Sequence, residues 1–210
     1  EKKGTGQYER PQEWEGLADD VVGLSGVSEL AFAEGAAPLL NANGEPLTDA
    51  ARVPVFAEPS AAVQDGDGNG DAVTYPDGTD VPLAAVDGGV VGLGSVLVND
   101  DEFDAANDNE EFVCNLWTAL VGDGGVVRWD DSHDQFFSSD KFGTFAEYAA
   151  DNGFEVQSGS EIPSDTSDAD ALVVTSPSAF SEDELAAVSS FVDAGGAVFL
   201  HDQDDYNDYD

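Results

Sequence analysis

Apolar and polar positions along this chain change rhythm near its middle. From residue 21 to 100, short apolar runs alternate with turn residues, which is the spacing of strands. The predicted strands are Val21–Leu24, Glu29–Ala33, Val53–Ala57, Ala72–Tyr75, Pro82–Asp87 and Gly89–Val98, after an irregular lead-in over residues 1–20. Asp87-Gly88-Gly89 separates two of these runs and suits a tight hairpin, because such residues tolerate the positive φ it needs. Neighbouring strands in this half are therefore expected to be antiparallel.

Between Asn107 and Val121 the period lengthens. Phe112, Leu116 and Leu120, with Val113 and Trp117 beside them, share one helical face. Asn107 or Asp108 can cap it, Glu110 and Glu111 suit the positive end of its dipole, and Gly122–Gly125 stop it. Strand and helix patterns then alternate. Val126–Asp130 reads as a strand, followed by a helix capped by Asp140, carrying Phe142, Phe145 and Tyr148 and ended by Asn152-Gly153. Phe154–Gln157 and Ala171–Thr175 are strands, the second apolar on both faces as in a covered parallel sheet. Ser181 and Glu184 form a capping box for a helix burying Leu185, Val188, Phe191 and Val192, and Ala197–Leu200 is the last strand after Gly195-Gly196.

This order predicts an α/β fold with a doubly wound, mainly parallel sheet and an attached antiparallel β-rich region. The division is 1–20 lead-in, 21–123 β-rich half ending in a helix, and 124–210 a βαββαβ half, with the last two either separate or intercalated. The second half alone makes an incomplete sheet, so either the first half or another chain is expected to supply the missing strands.

Composition narrows the setting. Forty-five acidic residues against six basic ones give a formal charge of −39, yet 41% of residues are apolar and fall in periodic blocks. A folded chain with an acidic surface fits both facts. At molar salt the Debye length falls to roughly 3 Å, so the self-repulsion is screened, and adaptation to high salt is expected. No basic face exists to neutralise nucleic-acid phosphates or to dock on anionic membranes. No apolar run approaches membrane-spanning length. The single cysteine, Cys114, excludes an intramolecular disulfide and a multi-cysteine zinc site. No signal peptide is visible, and a start at Glu1 suggests a processed or excised chain, which leaves an extracellular setting slightly favoured over the cytoplasm of a salt-adapted cell.

Two apolar runs end in histidine and aspartate: GVVRWDDSHD (125–134) and AVFLHDQDD (197–205). As parallel strands of one sheet they would bring Asp131, His133, His201 and Asp202 to the same carboxyl edge, where open α/β sheets bind ligands. Imidazole with carboxylate suits zinc or another divalent ion, or acid–base work. In so acidic a chain the same neighbours also arise by chance as structural or solvated groups. DGDGNGD places Asp65, Asp67, Asn69 and Asp71 like the first ligands of a calcium loop, but the twelfth position is Pro76 where an EF-hand needs glutamate. Asp77 could substitute; a hairpin loop is the other reading. Ser176 follows the ALVVT strand, but TSPS lacks a glycine-flanked nucleophile elbow.

GVVRWDDSHDQF, ADALVVTSPSAFSEDEL and FVDAGGAVFLHDQDDY resemble the opening half of a class I glutamine amidotransferase-like, flavodoxin-like domain, of an uncharacterised type found in large proteins of salt-loving archaea. GVVGLGSVLVNDDEF and the NEEF…NLW helix resemble its closing half. The resemblance implies either the end of one copy followed by the start of the next, or one permuted copy. Glutamine hydrolysis in that family needs a cysteine on a strand-to-helix elbow, whereas Cys114 falls inside a predicted helix, so the activity does not carry over. The expected function is a non-catalytic binding or scaffolding module of a larger salt-adapted protein, with other domains, copies of the chain and counter-ions as partners. The competing expectation is a metal-dependent hydrolase using Asp131, His133, His201 and Asp202 with zinc or calcium.

Overall fold

The change of rhythm near residue 123 does not divide the main sheet. A computed structural model describes residues 6–9, 24–32, 36–41, 43–47, 54–57, 61, 75, 80–100, 107–162 and 166–202. Its strands are β1 (Gly6–Glu9), β2 (Glu29–Phe32), β3 (Val55–Phe56), β4 (Pro82–Asp87), β5 (Val90–Leu93), β6 (Gly125–Asp130), β7 (Phe154–Gly159), β8 (Ala171–Thr175) and β9 (Ala197–His201). The helices are α1 (Asn109–Val121), α2 (Gly143–Asp151) and α3 (Glu182–Asp193). β3 to β9 form one seven-stranded sheet in the order β3-β4-β5-β9-β8-β6-β7, so β5 of the first half pairs with β9 of the second. That pairing is parallel, as are all those from β5 to β7, while β3-β4-β5 is antiparallel. The first half thus supplies the strands that the second lacks.

Several elements differ from the sequence expectation. The lead-in contains β1, which pairs antiparallel with β2. β5 stops at Leu93 and the chain bends at Gly94, where a Cβ would clash with the Ala37 carbonyl oxygen. Of the expected strands Val21–Leu24 and Ala72–Tyr75, only Leu24 and Tyr75 are among the described residues, and neither is in a strand. The loop Asp65–Asp71 lies outside the described residues.

The caps also differ. Asp108 stands at the N-cap of α1, but its carboxylate accepts from the amide and hydroxyl of Ser28 and the amide of Glu29, fixing the start of β2. Asp140 does not cap α2. The Asp100 carboxylate, from the far side of α1 in sequence, accepts from the amides of Gly143 at 3.0 Å and Thr144 at 2.9 Å. The Ser181–Glu184 capping box of α3 forms as expected.

Alternate residues of the strands point to opposite faces of the sheet and build two cores. Ala171 and Val173 of β8, Ala197 and Phe199 of β9, and Val127 and Trp129 of β6 join one cluster with α1, α2 and β2. There Trp117 of α1 meets Phe145, Phe154 and Phe199 at centroid distances of 5.1 to 6.0 Å. Leu172, Val174 and Val198 face the other way, with Ile162 and Phe191 of α3. Helices therefore cover both faces, but unequally. Leu185, expected in the buried stripe of α3, is 56% exposed, and Phe191 is the buried residue of that helix. No helix among the described residues is long and apolar enough to cross a membrane.

Candidate functional site

β6 leads through α2 to β7 on one side, whereas β8 leads through α3 to β9 on the other. The carboxyl ends of β6 and β8 therefore flank a topological switch point, where open α/β sheets form a ligand crevice. The segments leaving these two strands carry the two non-glycine residues with positive φ among the described residues, Asp134 at 51° and Ser176 at 38°. Such backbone is costly outside glycine and tends to mark functional turns.

At the end of β6 the chain builds a compact polar network. Asp130, alternating with the core residue Trp129, points toward the α3 face and is fully buried. Its carboxylate accepts from the Ser132 amide at 3.0 Å, the Ser132 hydroxyl and the Gln135 side-chain amide at 2.9 Å, and it lies 2.7 Å from Nδ1 of His133. A buried carboxylate is tolerated when its lone pairs are filled in this way. The Gln135 carbonyl oxygen in turn accepts from the His133 amide at 2.8 Å.

The other side of His133 meets α3. Its Nε2 lies 3.3 Å from Oε1 of Glu184, and its ring packs on Phe180 with centroids 4.2 Å apart. Oε2 of Glu184 accepts from the hydroxyl and amide of Ser181, so one side chain closes the capping box and reaches the imidazole. The Ser181 bonds, with a smaller contribution from His133, hold the Glu184 carboxyl below the ordinary carboxylate range. The His133 carbonyl also accepts from the Ser178 amide at 2.9 Å, joining the β6 loop to the β8–α3 turn.

His201 has different surroundings. It ends β9 in register with Thr175 and Leu93, and its residue parity and its 6.1 Å ring distance from Trp129 put it on the α1/α2 face. Its ring is fully buried, neither nitrogen has a hydrogen-bond partner among the described residues, and burial pushes its pKa down to about 3. β6 and β9 flank β8, so their backbones are two strand spacings apart, roughly 9.5 Å. The two histidines thus lie at or just beyond the ends of parallel strands at one edge, as expected, but turn to opposite faces.

The remaining candidates are also divided. The Asp131 carboxylate accepts from the amide and hydroxyl of Ser139 and the hydroxyl of Ser158, tying β6 to β7. Asp202 is exposed, and its amide donates to the Leu93 carbonyl. Among the described residues no group of three or more His, Cys, Asp or Glu side chains is placed to hold a metal ion. Cys114 lies buried in mid-helix, its thiol pushed up by burial and by the Glu111 carboxylate.

Sequence reasoning named His133 but not its partners. Asp130 precedes it at the turn-forming i,i+3 spacing, which was a legible signal. Glu184 and Phe180 come from a distant segment, and only the β6–β8 pairing brings them near. Comparison with known proteins found no matching family model, no matching curated protein and no matching solved structure.

Proposed function

We propose that the chain is a permuted glutamine amidotransferase-like unit acting as a non-catalytic binding or scaffolding module of a larger salt-adapted protein. Sheet order carries this reading. Counted from β6, the parallel strands run 2-1-3-4 and β5 fills the fifth place, the 2-1-3-4-5 order of flavodoxin-like sheets. Finding the fifth strand before the other four in sequence supports one permuted copy over two partial ones. The crevice between β6 and β8 is where such a module would take its ligand.

Two observations support the non-catalytic half. Both ring nitrogens of His133 face carboxylates, so the imidazole clasps the β6 loop to α3. The one thiol sits in a helix with its pKa raised, which disfavours the reactive thiolate. Metal content and hydrolysis measurements on the full chain in molar salt test the reading. After dialysis against a chelator and reloading with zinc or calcium, no stoichiometric ion should be retained, and glutamine or ester hydrolysis should not exceed background. Retention of one ion per chain, lost together with hydrolysis in both His133→Ala and His201→Ala, would instead establish the metal-dependent hydrolase.

A further inference from the structure

The two edges of the seven-stranded sheet are not alike. β3 ends it on one side with two residues, and its register to β4 shifts between Val55 and Phe56. β7 ends it on the other side with six residues in unbroken parallel register to β6. A strand edge offers its N–H and C=O groups to any other strand, and short or bulged strands, proline and charged side chains ordinarily blunt it. β3 is blunted in this way. β7 has no proline or lysine, and Glu155 is its one charged residue. Among the described residues its only strand partner is β6. Residues Glu155 to Ser158 are exposed or half-buried, whereas β8 is buried throughout.

Side-chain order decides which strand fits this edge. Phe154, Val156 and Ser158 are in register with β6 residues that include Val127 and Trp129, on the α1/α2 face, while Glu155 and Gln157 take the other face. Within β7 the Gln157 side-chain amide donates to the Glu155 carboxylate. We propose that β7 is a homodimer edge, pairing antiparallel with β7 of a second copy about a two-fold axis at Val156. Opposite residues of an antiparallel pair share a face, so an axis that continues the sheet must pass through a residue. At Val156 it sets Glu155 of each copy against Gln157 of the other, and Val156 against itself. The amide then donates across the interface, twice. An axis at Gln157 would set Glu155 against Gly159 and lose both contacts. No carboxylate of β7 stands opposite another, and molar salt screens the remaining repulsion of a chain with net charge −39. This self-complementarity selects a second copy over an unrelated peptide.

The proposal goes beyond the binding-module reading and does not rest on it, because the free edge of β7 faces away from the crevice between β6 and β8. Sedimentation equilibrium of the full chain in molar salt tests it, and the mass should rise with concentration to twice that of the chain. Gln157→Glu puts a carboxylate opposite Glu155 and should raise the dissociation constant roughly twofold to thirtyfold, since symmetry counts the altered pair twice. Combining it with Glu155→Gln restores both the net charge and the cross-strand pair, and should recover the original constant. A monomer at every concentration, or a dimer that Gln157→Glu leaves unchanged, overturns the proposal. The register has its own test. Val156→Cys in a Cys114→Ala background should give a covalent dimer on mild oxidation, and a dimer that does not cross-link there contradicts the axis.

Discussion

The two faces of the sheet show opposite ways of handling a buried imidazole. On the α1/α2 face, Trp117, Trp129, Phe112, Phe142, Phe145 and Phe199 make a deep aromatic core, and His201 sits at its rim as a neutral ring. On the α3 face the core is a small aliphatic group with Phe191, and His133 sits beside it between two carboxylates. Packing depth explains the difference. The His201 ring is fully buried and stays uncharged, because a buried charge without a partner is too costly. Beside a thinner layer, a helix terminus can bring Glu184 to the ring while keeping its side chain a quarter exposed. The thicker face therefore holds most of the buried aromatic side chains, and the thinner face holds the His133 network.

The largest test of this contrast is truncation in the deep core. Trp117→Ala removes a fully buried indole packed edge-on against Phe145 and Phe154. It should cost about 3–5 kcal/mol in denaturant unfolding at molar salt. A loss under about 1 kcal/mol would mean that the two faces are not as unequal as their packing indicates.

Acid sensitivity gives a second, smaller test. His201 titrates near 3 in the folded chain against 6.5 ordinarily. The unfolded chain therefore binds its proton first, and stability is complete above pH 6.5 and declines as pH falls toward 3. Each pH unit in that window costs about 1.4 kcal/mol. Between pH 7 and 4.5, His201→Leu should lose about 2–3 kcal/mol less than the unsubstituted chain, read from denaturant midpoints at constant salt. Equal losses in the two chains would show that the ring charges without penalty where it stands.

The smallest effect is expected on the thin face. Leu185→Ala should change stability by no more than about 0.5 kcal/mol, since the side chain is mostly in solvent. A cost of about 2 kcal/mol or more would show that Leu185 is covered in solution and that the helix face has an unassigned neighbour.

Local chemistry made much of this fold legible. The Ser181–Glu184 box, the Gly88-Gly89 turn and the both-face apolar run of β8 each declare themselves within a few residues. Features built by distant segments were not. The Asp100 cap on α2, the Asp108 anchor on β2 and the Glu184 contact to His133 all join residues that only the sheet order brings together. Leu185 fits the helical period, yet α3 packs through Phe191 and leaves it outside. For the candidate site, the sequence indicated that both histidines come to one edge of the sheet. It could not indicate which face each histidine takes, because one sits within its strand, where residue parity decides, and the other lies beyond the end of its strand in a loop.

Whether β5 lies against β9 decides both the single-sheet architecture and the permuted order. The amides of Val198 and Asp202 report on it, since they donate to the carbonyls of Gly89 and Leu93 at 2.8 and 2.9 Å. Residue-resolved hydrogen exchange of the full chain in molar salt should find the Val198 amide protected to the same degree as amides in the middle of β8, opening only with global unfolding. Fast exchange at Val198 and Asp202 beside a protected β8 would make β9 an edge strand and contradict the shared sheet.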